Sequence, residues 1–183
     1  MATRGKVINN TKTRQSIKFI HTGKDTQGQL LEMESVYLAN SRKPAPHYHP
    51  IQEEDFRVLR GELTVAMNDR VMVLKEGDTL HIPPGTSHAM WNNSNLVTVI
   101  NWQVRPALDT EYLLETITGL AQDGKTNERG MPGILQVAVT ANRFSDVFRL
   151  SNPPYVLQKI LFAVLAPVAY LFGYRAMYRK YID

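Results

Sequence analysis

The residues best suited to chemistry lie in one central stretch of the chain. Three of the five histidines fall in it, at His47, His49 and His88. Two adjacent carboxylates, Glu53 and Glu54, follow the first two histidines. Neutral imidazole nitrogens and carboxylate oxygens are ligands that borderline divalent metals use in proteins. The stretch therefore predicts one metal-lined pocket.

Short strands must position these side chains. Apolar runs recur at close spacing, separated by glycine, proline or asparagine turns, which is typical of an antiparallel sandwich or barrel. His47 and His49 are two positions apart, so on a strand both side chains point to the same face. The predicted strands cover residues 15–21, 30–38, 56–59, 63–67, 71–74, 79–82, 88–91 and 96–104.

The composition changes after Pro106. Helices are predicted over about residues 110–121, 134–144 and 154–178. Strands followed by helices indicate a mainly β protein with a helical C-terminal layer. We therefore expect a barrel over residues 1–106 and a helical extension over residues 107–183, packed on the barrel or on a partner subunit.

The intervals between these residues resemble those of the cupin superfamily. The first cupin motif is matched by His47, His49, Glu54 and Gly61. The second cupin motif is matched by Gly77, Pro83, Gly85, His88 and Asn92. The short segment between the two motifs is similar to that of small bacterial single-domain cupins of the Cupin_2-like conserved-barrel type.

The resemblance implies an antiparallel double-stranded β-helix, the cupin jelly-roll barrel, with C-terminal α-helices added. It also implies one divalent transition metal, Fe, Mn, Zn or Ni, inside one end of the barrel. The ligand role passes to His47, His49, Glu54 and His88, and the interval to Gly61 selects Glu54 over Glu53. The glycines are expected to adopt the positive φ of tight turns.

Strand alternation predicts which side chains share the pocket with the metal. The expected lining residues are Phe56, Val58, Leu63, Val65, Met67, Met90, Asn92 and Trp102, although alternation leaves the face of Trp102 open. The alternative for each residue singly is ordinary barrel core. A mostly apolar lining would suit a small apolar or aromatic molecule. His21 and His81 lie outside the motifs, and His81 is expected on the outer face.

Two classes of function fit this pocket. The first is a metal-dependent enzyme, either dioxygenase-like or a Lewis-acid isomerase or cyclase. The second is a non-catalytic small-molecule-binding cupin whose C-terminal helix dimerises or lies on a membrane surface. Metal ligands alone do not decide between them, because one fold hosts many functions.

The C-terminal segment is unusually apolar. Residues 160–174 carry no charge, but a helix that spans a bilayer needs about 20 such residues. Pro167 is expected to kink or break the helix. Packing on the barrel or in a homodimer interface is favoured over peripheral membrane contact through residues 154–183.

The composition argues against several other classes of protein. The net charge of +4 is mild and its cations are spread along the chain, which argues against nucleic-acid binding. The absence of cysteine excludes disulfides and thiolate metal sites. The first 16 residues contain no apolar signal segment, so a cytoplasmic location is expected.

Overall fold

The computed structural model describes residues 2–68 and 70–182. In chain order, the strands are β1 (Val7–Asn10), β2 (Gln15–His21), β3 (Leu31–Tyr37), β4 (His47–Tyr48), β5 (Glu53–Arg60), β6 (Glu62–Met67), β7 (Arg70–Lys75), β8 (Thr79–Ile82), β9 (His88–Trp91), β10 (Thr98–Arg105) and β11 (Arg149–Leu150). The helices are α1 (Thr110–Gln122), α2 (Ile134–Arg143), α3 (Tyr155–Leu171) and α4 (Arg179–Ile182).

The strands form two antiparallel sheets. One sheet has the order β1-β2-β3-β10-β5-β8, and the other has the order β11-β4-β9-β6-β7. The prediction of a mainly β cupin-type barrel with C-terminal helices is confirmed. The strands β4 and β9, which the two motifs supply, are neighbours in the second sheet, whereas β5 lies in the first, so the fold can bring distant ligands to one place.

The interior contains two large apolar clusters. One joins the first sheet to α1, and it includes Phe19, Leu31, Met33, Val104 and Leu114. The other fills the space between the sheets, and it includes Tyr37, Phe56, Val58, Leu63, Val65, Ile82, Met90 and Ile100. Trp102 packs against both clusters.

Gly61 shows why the turns need glycine. Its φ is +80°, and a Cβ atom there would meet the Val97 carbonyl oxygen at 2.6 Å. Gly77 and Gly85 also have positive φ, as predicted. An L side chain at Gly61 would be strained by its backbone and blocked by its neighbour.

The C-terminal part differs from the prediction in three respects. The extension contains a strand, β11, which pairs with β4. The last predicted helix ends at Leu171, before Gly173 at φ +82°. Pro167 does not break α3, because it lies on the exposed side, where water can satisfy the carbonyl that loses its partner.

The extension meets the barrel through α1, which packs on β1, and through β11, which pairs with β4. Within the extension, α3 packs on α2 and α4 packs on α1. None of the helices in the described part of the chain combines the length and apolarity that crossing a bilayer requires.

Candidate metal centre

Strand register brings the three histidines together. His47 on β4 lies directly opposite His88 on β9, and His49 follows β4 on the same side. One ring nitrogen from each histidine lies within 4.8 Å of the others. His49 and His88 are buried, whereas His47 is half-buried. Residues 41 positions apart in sequence thus share one potential metal site.

Backbone carbonyls orient all three rings in the same way. Nδ1 of His47 lies 3.2 Å from the Ala45 oxygen, and Nδ1 of His88 lies 2.9 Å from the Thr86 oxygen. Nδ1 of His49 lies 2.6 Å from the Val147 oxygen. A carbonyl oxygen can only accept, so each Nδ1 carries the proton. In the neutral rings, each Nε2 therefore keeps its lone pair free, as metal ligation requires.

Glu54 faces this cluster from the other sheet. Its Oε2 lies 2.9 Å from His88 Nε2 and 3.4 Å from His49 Nε2. Trp102 Nε1 donates a 2.9 Å hydrogen bond to its Oε1. Trp102 lies on β10, which pairs with β5, and this register places the indole beside the carboxylate. The sequence did not decide on which face of the strand Trp102 lies, and the structure places it on the inner face.

The electrostatics of the site follow from its burial. Burial lowers the pKa of His47 to about 3, and the charges of His88 and His49 add to this effect. Burial alone would raise the pKa of Glu54, but the charge of His49 and the contact with His88 lower it to about 2. Burial disfavours charge on His88, yet the adjacent Glu54 carboxylate raises the pKa of that imidazole. The centre therefore holds a buried carboxylate beside His47, which resists protonation, and beside His88, which its contact with that carboxylate makes easier to protonate.

This donor set fits a metal ion. His49 Nε2 and Glu54 Oε2 are buried without a hydrogen-bond partner. Unpartnered buried polar atoms are costly, and a carboxylate is the most costly. A cation between them would satisfy both atoms. The combination of imidazole nitrogen and carboxylate oxygen suits Fe, Mn, Zn or Ni.

A segment that the sequence reading missed closes over the histidines. Its residues, 147–150, run into β11, where Leu150 pairs with His47. The Phe148 ring lies 4.9 Å from the His47 ring, and Val147 supplies the carbonyl that orients His49. We call residues 147–150 the strap. Its sequence carried no signal for the contacts with His47 and His49 that use backbone atoms, namely the β11–β4 pairing and the Val147 carbonyl.

Gln52 connects the histidine loop to the helical extension. Its Nε2 donates to the Pro106 oxygen at 2.7 Å and to Thr110 Oγ1 at 2.8 Å. Its Oε1 lies 3.3 Å from His49 Nδ1. The loop that carries His49 is therefore held against the start of α1 by Gln52.

Most of the predicted lining residues belong to the cluster between the sheets. Phe56, Val58, Leu63, Val65 and Met90 are buried members, while Met67 and Trp102 pack at its edge. Their role as substrate lining stays a prediction, since the same packing describes a barrel core.

Asn92 is buried, and its side-chain amide forms hydrogen bonds with backbone groups. Nδ2 donates to the carbonyl oxygens of Tyr37, Leu38 and Leu96, and Oδ1 accepts from Ser94 N. It anchors a loop at this end of the barrel.

Tyr37 joins the cluster between the sheets, although the sequence reading did not place it in the pocket. Burial raises the pKa of its hydroxyl, and the charge of Glu54 adds to that shift. The sequence did contain a signal for this position, because Tyr37 and Met33 share one face of the predicted strand.

The other two histidines lie on the outer surface. His81 contacts Asp55 at 2.8 Å, and His21 contacts Glu32 at 2.8 Å. The prediction that His81 faces outward agrees with its half-exposed side chain.

Comparison with known proteins identifies the barrel. Residues 34–102 match the family model described as "Cupin domain". A predicted oxalate decarboxylase from Thermotoga maritima has the same fold, with a TM-score of 0.50 and 18% identity over 58% of this chain and 99% of that one. Residues 34–102 thus match a cupin domain, and the barrel has the cupin fold.

The curated relatives match a shorter segment. An oxidoreductase of Penicillium terrestre, macE, is 44% identical over 55 residues, which are 30% of this chain and 21% of that protein. A probable oxidoreductase of Aspergillus niger, yanE, is 41% identical over 56 residues, with the same two shares. The chain thus spans about a fifth of the length of these relatives. Because they are fungal, the expected likeness to small bacterial proteins is not confirmed.

Proposed function

We propose that the protein is a metal-dependent enzyme that acts on a small apolar or aromatic organic molecule. The ligand set is His47, His49 and His88 with Glu54. The observation that carries this proposal is the common orientation of the three imidazoles, whose Nδ1 protons are all directed to backbone carbonyls. A core that needed only filled volume would not require three matching tautomers beside a buried carboxylate oxygen, Glu54 Oε2, that has no hydrogen-bond partner.

The residues of the chain have separate tasks in this proposal. Ala45, Thr86 and Val147 hold the rings through their carbonyls, while Trp102 orients Glu54 through one oxygen. His47, the half-buried ligand, marks the side from which a substrate would enter. A bound divalent metal would supply either oxygen activation or Lewis-acid polarisation of a carbonyl. The oxidoreductase names of the fungal relatives favour the first chemistry.

The first experiment measures metal content. Untagged protein is incubated separately with Fe(II), Mn(II), Zn(II) and Ni(II), desalted and subjected to elemental analysis. We expect one metal per chain in the wild type and in His81→Ala, whose histidine lies on the outer face. We expect His49→Ala and His88→Ala to lose that metal. Failure of the wild type to retain stoichiometric amounts of any of these ions would overturn the proposal.

The second experiment separates catalysis from binding. Metal-loaded protein is tested for oxygen consumption and product formation with a panel of phenols and diketones. Metal-dependent turnover supports the enzyme. Ligand binding without turnover, and with equal affinity in the metal-free protein, would instead identify a non-catalytic binding cupin.

A further inference from the structure

The helix α3 exposes a long apolar face. Seventeen residues form this helix, which makes it about 25 Å long. Its buried side consists of Gln158, Phe162, Ala166 and Ala169. The exposed apolar side chains, each between 40% and 88% exposed, are Val156, Leu157, Ile160, Leu161, Val164, Val168, Leu171 and Phe172. We call this set the α3 face.

The size of the α3 face calls for a partner. Folded proteins rarely leave so many contiguous large apolar side chains in water, and such patches mark interaction sites. The packing of α3 on α2 uses the opposite side of the helix, where Phe162 meets Val137 and Ala138. The α3 face is therefore available for contact with something outside this chain.

The charges around the helix define that partner. Residues 147–182 contain five arginines and lysines and no aspartate or glutamate. Arg149 stacks 3.7 Å from the centre of the Tyr155 ring, at the beginning of α3. Lys159 is exposed in the first half of the helix. Arg175 donates to the carbonyls of Tyr170 and Tyr174 at its end.

These cations accompany α3 along its whole length. The nearest preceding acid is Asp146, 3.9 Å from Arg149, and Lys180 is paired with Asp123 on α1. Lys159 and Arg175 have no such acidic partner among the contacts of the described residues. The surface that fits this face must therefore be apolar beneath and negatively charged around it.

We propose that the α3 face docks on an anionic lipid surface, with the helix lying in the headgroup layer. Apolar burial and basic flanks are the two features that hold interfacial helices on membranes. Tyr170 and Tyr174 at the end of α3 are of the type that favours the headgroup level. The helix is too short to span the bilayer, so the contact is peripheral.

A second copy of the chain fits less well. Two α3 faces packed together would bring the same basic residues near one another, and no acidic residue of this segment could compensate them. The sequence alone favoured a homodimer or barrel contact here. Among the described residues, the barrel does not cover this face, because α3 packs on α2 and its apolar side is exposed. Between a homodimer and a lipid surface, we infer the lipid surface from the charges around the helix.

The test measures co-sedimentation of the full chain with vesicles. One set contains phosphatidylcholine only, and the other contains 30% phosphatidylserine. We expect the wild type to bind the anionic vesicles at least tenfold more strongly, and added salt should weaken that binding. Equal binding to both sets, or no binding to either, would overturn the proposal.

Substitutions then locate the contact. Ile160→Asp and Leu171→Asp place a charge on the α3 face, and each should reduce binding about tenfold or more. The matched controls are Val71→Asp and Leu96→Asp, which alter residues 66% and 71% exposed on the barrel. Loss of binding in all four variants alike would count against α3 as the contact.

The contribution of the charges is tested with Lys159→Gln and Arg175→Gln. Each substitution is expected to weaken binding to the anionic vesicles about fivefold. Lys75→Gln, which alters an exposed lysine on β7, is the control.

Light scattering in the absence of lipid tests whether a second copy of the chain covers the α3 face instead. A stable dimer that Ile160→Asp and Leu171→Asp convert to monomer would assign the face to a second copy and overturn the proposal. All variants alter exposed side chains, so circular dichroism should show unchanged folding.

Discussion

Trp102 is the residue outside the proposed ligands on which Glu54 most depends. The substitution Trp102→Phe keeps an aromatic ring in the core but removes the donor to Glu54 Oε1. Leaving a buried carboxylate oxygen without its donor costs about 1–3 kcal/mol. We expect metal affinity to fall about 10–100-fold, as for other losses of groups that orient ligands.

Trp91→Phe is the control for this substitution. Trp91 is half-buried and carries Lys43 over its ring, so its loss should leave metal affinity unchanged. Isothermal titration with Zn(II) measures both variants. Equal affinities for the two would show that the indole of Trp102 does not orient Glu54.

The sequence could identify the candidate ligands because the cupin resemblance depends only on residue types and the intervals between them. His47, His49 and His88 do converge in the structure. The groups that orient them could not be predicted in the same way. Two of the three acceptors are carbonyls two residues before their histidine, while the third, Val147, comes from a segment 98 positions away. Backbone acceptors leave no trace in side-chain identity.

At the scale of elements, the strap connects the extension to the candidate metal centre. Phe148→Ala removes the ring that packs against His47. We expect a loss of about 1–3 kcal/mol in unfolding free energy, because Phe148 also contacts the cluster around Leu113 and Phe144. Metal affinity should fall as well, since β11 holds β4 in place.

Phe172→Ala provides the comparison for the strap, because that ring is 74% exposed. Denaturant unfolding should show little change in this variant. If both substitutions have the same small effect on stability and on metal affinity, the strap does not position His47.

The docking of α4 on α1 is expected to depend on pH through Asp123. Hydrogen bonds from Lys180 and Tyr181 lower the pKa of Asp123 from 3.8 to about 2. A depressed carboxyl pKa stabilises the docked form above pH 3.8. That contribution is lost as the pH falls through about 2. Amide hydrogen exchange of residues 179–182 between pH 5 and 2 measures it.

Asp123→Asn removes the titrating group and should flatten this dependence. Asp146→Asn, which alters a side chain 81% exposed, should leave it in place. If the hydrogen exchange of residues 179–182 depends on pH equally in the wild type and in Asp123→Asn, another group causes the pH effect.

Element prediction succeeded where the pattern was long. The strand from Gln15 to His21 and the helix beginning near Thr110 lie where periodicity placed them. The two-residue strands β4 and β11 are too short for any period to appear, and their pairing is decided by tertiary contacts. Asn68, which follows β6, has a φ of +45°, and Asp69 lies outside the described residues.

At the scale of the whole molecule, the two proposals concern separate surfaces. The candidate ligands lie on β4, β5 and β9 or just after them, whereas α3 packs on α2. Substitutions at sites without shared partners have nearly additive effects. We therefore expect Leu171→Asp to keep the metal content of the wild type, and His49→Ala to keep its binding to anionic vesicles.

Both properties should be measured in the single variants and in the double variant. Residues 151–154 connect β11 to α3, so the strap is the one direct covalent route between the surfaces. If Leu171→Asp lowers metal affinity, this route couples them, and Phe148→Ala should then weaken vesicle binding too. If the effects add without coupling, metal binding depends on the barrel and vesicle binding on α3, and neither property requires the other.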